Sequence, residues 1–294
     1  MTADTPILHH YAPSPYSEKV RKIFGYKQLA WRSVEVPPVM PKPDLTPLTG
    51  GYRKAPVMQI GRDVYCDSKL ICRVIDRLKP ERPLIPPGSE ASTLITERWV
   101  DQAFFFQSVA LFFQPAGLQA FGASLGPGMV DTFLKDRAVM FAQGGTQPAP
   151  KIDTARAELP AIFSSLEAQL ANAPFLCGDA PTLIDFSVYN PVWFVHTNAG
   201  IASELAAFPR LRAWADRIMA FGEGISATAV SMIGVRVHNF ASGSAVCCVR
   251  RKGLDRIGNG PMEFNFCATA CACERPSASR PGSMPSPKPA AALP

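Results

Sequence analysis

Ile7-Leu8-His9-His10-Tyr11-Ala12-Pro13-Ser14-Pro15-Tyr16-Ser17-Glu18-Lys19-Val20-Arg21-Lys22-Ile23-Phe24 reads as a short β-compatible run, a proline-punctuated turn and a helix. The helix is marked by Val20, Ile23 and Phe24 recurring at helical spacing beside charged neighbours. Ser14-Pro15-Tyr16-Ser17 sits at the junction, at the helix start. A Cys-x-x-Cys pair in that place would carry out thiol–disulfide exchange, because helix amides and the helix dipole lower the pKa of the attacking thiol. Serines stand where both cysteines would be, so that chemistry is absent. What remains is a hydroxyl aimed at the same spot, able to donate a hydrogen bond to a thiolate supplied from outside.

Working outward, Trp31 to Val36 alternates apolar and polar residues and closes a βαβ unit before a proline-rich loop over 37–47. Val57-Met58-Gln59-Ile60, a Gly61-Arg62 turn and Asp63-Val64-Tyr65-Cys66 predict a β-hairpin. Leu70, Ile71, Val74, Ile75 and Leu78 then mark one helix face. The order βαβ–ββα is that of a thioredoxin-like α+β domain over residues 5–79. Residues 80–90 hold prolines and a glycine and predict a linker.

From there an all-α domain is expected over 91–222. Helices are predicted at 91–113, 129–142 and 153–170, with a Gly/Pro-punctuated loop over 115–127. Thr182, followed three residues on by Asp185, predicts the N-cap and capping box of a further helix, and Pro209 opens the last one. Over 223–294 no period is sustained, and the end is rich in Pro, Ser and Ala, so a disordered tail is expected. The change of character is as abrupt as a shifted reading frame would produce.

Composition narrows the class. Of the 294 residues 47% are apolar and 18% charged, which is enough apolar side chain for two globular domains. The formal charge is +6, but eight Lys/Arg against three Asp/Glu lie from Ser226 onward, so the body is close to neutral. That argues against a nucleic-acid surface. The most apolar stretch, Ala103 to Phe113, is too short to span a bilayer, which takes about 20 apolar residues. No secretory signal is visible at Met1-Thr2-Ala3-Asp4, and the cysteine spacing is no disulfide framework, so a cytoplasmic protein is expected. His9, His10 and His196 lack clustered partners, and Cys267, Cys271 and Cys273 fit no structural zinc spacing, so no metal is expected.

Three motifs in order give a resemblance to the cytosolic glutathione transferase family, of the bacterial type with serine at the thiolate position. Ser14-Pro15-Tyr16-Ser17-Glu18-Lys19-Val20-Arg21 resembles the family's first loop and helix. Lys54-Ala55-Pro56-Val57 and Asp67-Ser68 resemble its cis-proline strand entry and its acidic-Ser pair. Gly178-Asp179-Ala180-Pro181-Thr182 through Asp185 resembles the capping box of its helical domain. The resemblance covers roughly residues 5–222 and implies glutathione as co-substrate.

The residues can be weighed against that implication. A free thiol of pKa about 8.5 is only about 3% ionised at pH 7. A hydroxyl bonding a charged acceptor supplies about 1.5–3 kcal/mol, and a helix N-terminus favours an anion in the same direction. Ser14 is therefore sufficient as the catalytic donor, whereas Ser17, one turn further in, is read as a helix cap. Pro56, if cis, turns Ala55 outward so that its amide and carbonyl can pair with a peptide ligand; a trans proline would merely start an edge strand. Ser68 and the following amides suit a carboxylate and Asp67 suits an ammonium, both present at the γ-glutamyl end of glutathione, while capping the helix as well. Lys42 and Lys54 are placed by charge and loop position to meet the glycyl carboxylate. Phe104-Phe105-Phe106 and Phe112-Phe113 are core in type, and in this family also line the co-substrate site.

The function so implied is conjugation of the glutathione thiolate to a small hydrophobic electrophile by a detoxifying homodimer. Two alternatives stay open: glutathione-dependent isomerisation, and a non-catalytic binding module on the same scaffold.

Overall fold

β1 (Ile7–His10), α1 (Pro15–Tyr26) and β2 (Ala30–Glu35) form the predicted βαβ unit in a computed structural model that describes residues 5–126, 128–143, 151–228, 236–241 and 245–249. The proline-rich stretch beyond β2 carries a short helix, α2 (Leu45–Thr49), where loop was expected up to residue 47. The hairpin β3 (Val57–Ile60) and β4 (Asp63–Cys66) and the helix α3 (Ser68–Leu78) complete a thioredoxin-like domain. β1 lies parallel to β2, with Leu8 opposite Ser33, and antiparallel to β3, with Leu8 opposite Met58. All four residues of β1 are buried, so its side chains face packed layers on both sides and show no polar alternation.

The helical half begins at α4 (Glu90–Trp99), which runs through a π-helical turn at Val100–Phe104 into α5 (Phe105–Phe112). α6 (Pro115–Leu125) corrects the loop predicted over 115–127. Pro115 takes the first helical position, where a missing amide is harmless. Gly117 is a contact residue: a Cβ there would lie 2.5 Å from the Phe112 carbonyl oxygen, so only glycine lets α6 fold back this closely on α5. α7 (Met129–Gln143), α8 (Ile152–Gln169), α9 (Leu183–His196) and α10 (Pro209–Met219) stand where the periodicity puts helices. Thr182 caps α9 with its amide donating to Asp185 at 2.9 Å; the same carboxylate accepts from Leu176 N at 2.7 Å and Trp214 Nε1 at 3.1 Å. That buried carboxylate thus ties three segments together.

One apolar core runs through both halves, from Leu8, Val20 and Trp31 of the sheet domain to Phe104, Phe163 and Tyr189 of the helices. α1 packs on α9, where Tyr189 Oη donates to Glu18 Oε1 at 3.0 Å. The stretch between the halves is pinned by Leu84, fully buried, whose carbonyl accepts from Leu183 N at 2.7 Å.

Beyond α10 the chain returns to the sheet. Most of the tail expected to be disordered lies outside the described residues, but for three short segments the expectation is corrected: β5 (Ile225–Thr228), β6 (Arg236–Ala241) and β7 (Ala245–Val249) are strands. β5 runs parallel to β2 and β6 parallel to β4, giving a seven-stranded sheet in the order β5-β2-β1-β3-β4-β6-β7. The edges of β2 and β4 offer rows of unpaired backbone groups, and apolar or β-branched segments add to such edges without needing a period of their own. The return is tight: a Cβ on Gly25 of α1 would lie 2.4 Å from the Phe221 carbonyl oxygen. Trp31 Nε1 donates to the Glu223 carbonyl, and the Glu223 carboxylate pairs with Arg21 Nε at 3.1 Å.

Candidate active site

Ser14, not Ser17, caps α1. Its extended backbone (φ −76°, ψ 117°) places Oγ to accept from Ser17 N at 3.2 Å. The Ser17 hydroxyl is fully buried with no hydrogen-bond partner among the described residues, so the capping role expected of Ser17 falls to its neighbour one turn back. A hydroxyl that accepts one bond keeps its own proton to donate. Ser14 can therefore cap the helix and still donate to an anion.

Ser14 opens onto a cavity of about 250 Å³ between the two halves of the chain. The other six residues singled out from the sequence, Lys42, Lys54, Ala55, Pro56, Asp67 and Ser68, line the same cavity. The Ala55–Pro56 peptide is cis. Asp67 is the N-cap of α3: its carboxylate accepts from Lys69 N at 2.8 Å, and its φ of 78° is one that non-glycine residues seldom adopt. Such positive-φ residues hold about 1–3 kcal/mol of strain and cluster at ligand sites. Burial raises the Asp67 pKa, against the opposing pull of the Lys69 amide and of Lys19.

Beneath the polar wall Lys19 is almost fully buried. Burial acts to lower its pKa, but Cys72, Asp101, Glu97 and Asp67 around it outweigh that and raise it, so its charge is retained. Lys42, 2% exposed, differs: burial and the nearby guanidinium groups of Arg137 and Arg53 bring it down to about 8, despite Asp136. Burial pushes the Cys66 and Cys72 thiols up to about 12, so neither competes as a thiolate. His9 and His10 are packed: Arg21 donates to His10 Nδ1 at 3.1 Å, which leaves Nε2–H to donate to Ser33 Oγ at 2.8 Å. Burial, with Arg21 and His9, lowers His10 to about 4 and keeps it neutral. Among the described residues no cluster of His, Cys, Asp or Glu able to hold a metal is found, and no helix is long and apolar enough to cross a membrane.

The opposite wall is aromatic. Phe105, Phe106, Phe112 and Phe113 come from α5 and its end, Phe121 from α6, Phe133 and Phe141 from α7, and Phe194 from α9. Phe112 stacks on Phe194 with centroids 4.2 Å apart, and Phe121 meets Phe133 edge-on at 5.0 Å. Four further polar lining residues escape the sequence reading: Tyr11, Tyr52, Asp101 and Arg137. Asp101, the one charged residue of the apolar 100–113 stretch, carried a signal; it pairs with Lys69 Nζ at 2.8 Å from the π-helical turn, a feature that recurs at functional sites. Arg137 gave none, since what brings it to the cavity is the approach of α7 to the loop after β2.

The comparisons agree with this architecture. The family model for the glutathione S-transferase N-terminal domain matches residues 8–83, and that for the glutathione S-transferase C-terminal domain matches residues 147–217. A GST-like protein from Pseudomonas syringae is 35% identical, with 78% of this chain and 71% of that one covered and a TM-score of 0.62. The beta-etherase LigF from Sphingobium sp. strain SYK-6 is 20% identical, with 74% and 95% covered and a TM-score of 0.54. A glutathione S-transferase from Rhodospirillum rubrum F11 is 17% identical, with 74% and 88% covered and the same TM-score of 0.54. The latter two likenesses are of fold alone. No curated protein matches the sequence. Two family models in chain order, a 35% identical relative aligned over most of both chains, and a thioredoxin-like domain joined to a helical one place this chain in the glutathione S-transferase family.

Proposed function

We propose that the protein conjugates the thiolate of glutathione to an electrophilic, apolar co-substrate. The observation that carries this reading is the juxtaposition of Ser14, at the N-terminus of α1, with an aromatic wall across one cavity. Glutathione would lie along the polar side. Ala55 would pair with its peptide backbone, Asp67 and Ser68 would take the ammonium and carboxylate of the γ-glutamyl end, and Lys42 and Lys54 the glycyl carboxylate. The thiol would meet the Ser14 hydroxyl.

The chemistry asked of the site is modest. Moving a thiol from pKa about 8.5 to about 6.5 requires about 2.7 kcal/mol, and one hydroxyl donor to a charged acceptor supplies about 1.5–3 kcal/mol. The helix N-terminus adds about 0.3–1 kcal/mol with the same sign. Holding the electrophile against the phenylalanines supplies orientation. Carbon–sulfur bond formation then expels the leaving group or opens the double bond of the electrophile, and the thiol proton has already passed to solvent.

Family membership further supports a cytoplasmic homodimer serving detoxification. The reading is tested by retention of the protein on immobilised glutathione together with conjugation of a general electrophile such as benzyl chloride. Passage through the column and no product would refute it; sedimentation at the monomer mass would refute the dimer.

A further inference from the structure

Ser14 stands in a turn, Ala12-Pro13-Ser14-Pro15, in which the two prolines carry no amide hydrogen, so the turn is held largely through its carbonyls. Tyr11 O accepts from Ser14 N at 3.1 Å and Ser14 O accepts from Glu18 N at 2.9 Å. The Ala12 carbonyl, two residues before Ser14, accepts from Arg21 Nη2 at 2.9 Å. Arg21 lies about two helical turns along α1 from Ser14, and because helical side chains lean toward the N-terminus a long one reaches back this far. The guanidinium is directed from three sides. Nη2 also donates to Glu18 Oε2 at 2.7 Å, Nη1 donates to His10 Nδ1 at 3.1 Å, and Nε lies 3.1 Å from Glu223 Oε1.

Glu223 reaches this cluster from beyond α10. Gly222 and Gly224 on either side of it take φ of 70° and 73°, and a Cβ on Gly224 would lie 2.5 Å from the Leu29 carbonyl oxygen, so the backbone that carries Glu223 fits closely against the βαβ unit. Its carbonyl accepts from Trp31 Nε1. Its carboxylate also balances the charge. Arg21 and Lys22 are buried cations that share one buried carboxylate, Glu18, whose Oε1 already accepts from Tyr189 Oη at 3.0 Å and lies 3.4 Å from Lys22 Nζ. The Glu223 side chain, 44% exposed, brings the second negative charge, 3.9 Å from Lys22 Nζ. Without it two buried cations would compete for Glu18, and the guanidinium would turn from the Ala12 carbonyl toward that carboxylate.

We propose that Glu223, acting through Arg21, is a positioning residue for Ser14: it holds the guanidinium against the Ala12 carbonyl and so sets the direction in which the Ser14 hydroxyl meets a thiolate. The inference rests on the conjugation reading above and adds to it a residue supplied by the segment after α10, apart from those that line the cavity.

The test reads the ionisation of bound glutathione. A hydrogen bond weakens steeply once its angle is lost, so Glu223→Gln is expected to raise the pKa of the bound thiol by about one unit, followed by thiolate absorbance. Turnover of benzyl chloride should fall about threefold at pH 7, where a thiol moved from pKa about 6.5 to about 7.5 drops from about 76% to about 24% ionised, and should recover at pH 9. Affinity for S-methylglutathione, which has no thiol to ionise, should stay within twofold. Arg21→Lys, which keeps the charge and loses the fork, reads the same step independently and should give the same rise, with no further rise in the double variant. Glu167→Gln weakens a carboxylate that accepts from Arg210 Nη1 and from the Arg210 and Leu211 amides, so it should lower Tm and leave the thiol pKa unmoved. An unmoved thiol pKa in Glu223→Gln or in Arg21→Lys overturns the proposal, as does an equal rise in Glu167→Gln or a double variant whose rises add. A wild type that binds no glutathione, or leaves the bound thiol at its free pKa, overturns the conjugation reading as well, and shows itself before any variant is made.

Discussion

Replacing Ser14 separates two jobs that one hydroxyl performs. As N-cap it accepts from Ser17 N at 3.2 Å, and losing such a cap to Ala destabilises by about 1 kcal/mol, whereas Gly at a cap position loses only a few tenths. In a chain of this size 1 kcal/mol is about 2–4 °C in Tm. As donor to the thiolate it supplies about 1.5–3 kcal/mol, equal to about one to two pKa units of the bound thiol. Ser14→Ala should therefore lower Tm by a few degrees and raise the pKa of bound glutathione by one to two units, with its affinity nearly intact. Ser14→Gly should raise the thiol pKa by the same amount with little change in Tm. The ultraviolet absorbance of the thiolate, titrated with glutathione saturating, reads the first quantity, and thermal unfolding of the free protein reads the second. Ser17→Ala removes a buried hydroxyl that has no partner among the described residues, so Tm should hold or rise and the thiol pKa should stay put. An unmoved thiol pKa in both Ser14 variants, or an equal shift in Ser17→Ala, would refute the reasoning.

Three further outcomes are expected. Ser68→Ala should weaken glutathione binding about tenfold through loss of one hydrogen bond to a charged carboxylate, measured by calorimetry; unaltered affinity would remove Ser68 from the γ-glutamyl site. Lys42 is charged below a pKa of about 8 and neutral above it, the groups facing it being Arg137, Arg53 and Asp136, so affinity for S-methylglutathione should fall as pH rises from 7 to 9. Lys42→Met should bind weakly at both pH values, and a pH-independent affinity in wild type would exclude the lysine from carboxylate binding. Asp185→Ala strands Leu176 N and Trp214 Nε1 in the core, at about 1–3 kcal/mol for each unsatisfied group, so urea unfolding should show a loss of several kcal/mol; a loss under 1 kcal/mol would contradict the structural role given to this carboxylate.

What the sequence discloses here is what is decided locally. The strand–turn–helix of residues 7–26, the hairpin across Gly61-Arg62 and the Thr182–Asp185 box each depend on a few neighbouring side chains, and each is found where its pattern stands. Six of the seven site residues singled out belong to motifs at the ends of β1, β3 and β4, which brings them to one cavity, and Lys42, placed by charge and loop position, joins them from the loop after β2. Other features depend on distant partners. Pro115 and Gly117 look like breakers until Phe112 is seen to pass within contact distance. The π-helical turn at Val100–Phe104 has no 3.6-residue signature, and Arg137 and Tyr11 meet across 126 residues of sequence. That the cap is Ser14 and not Ser17 follows from a helix boundary, which local patterns fix only to within a residue or two.

The pairing of β5 with β2 has a consequence for synthesis on the ribosome. Residues 5–79 emerge first, but the β2 edge stays open, the Trp31 indole lacks its carbonyl acceptor and Arg21 lacks one of its carboxylates until Glu223 and Ile225 have been translated. The amino-terminal half is thus finished by some of the later residues to leave the exit tunnel. A fragment ending at residue 79 would carry only β1 to β4, a sheet lacking β5, β6 and β7.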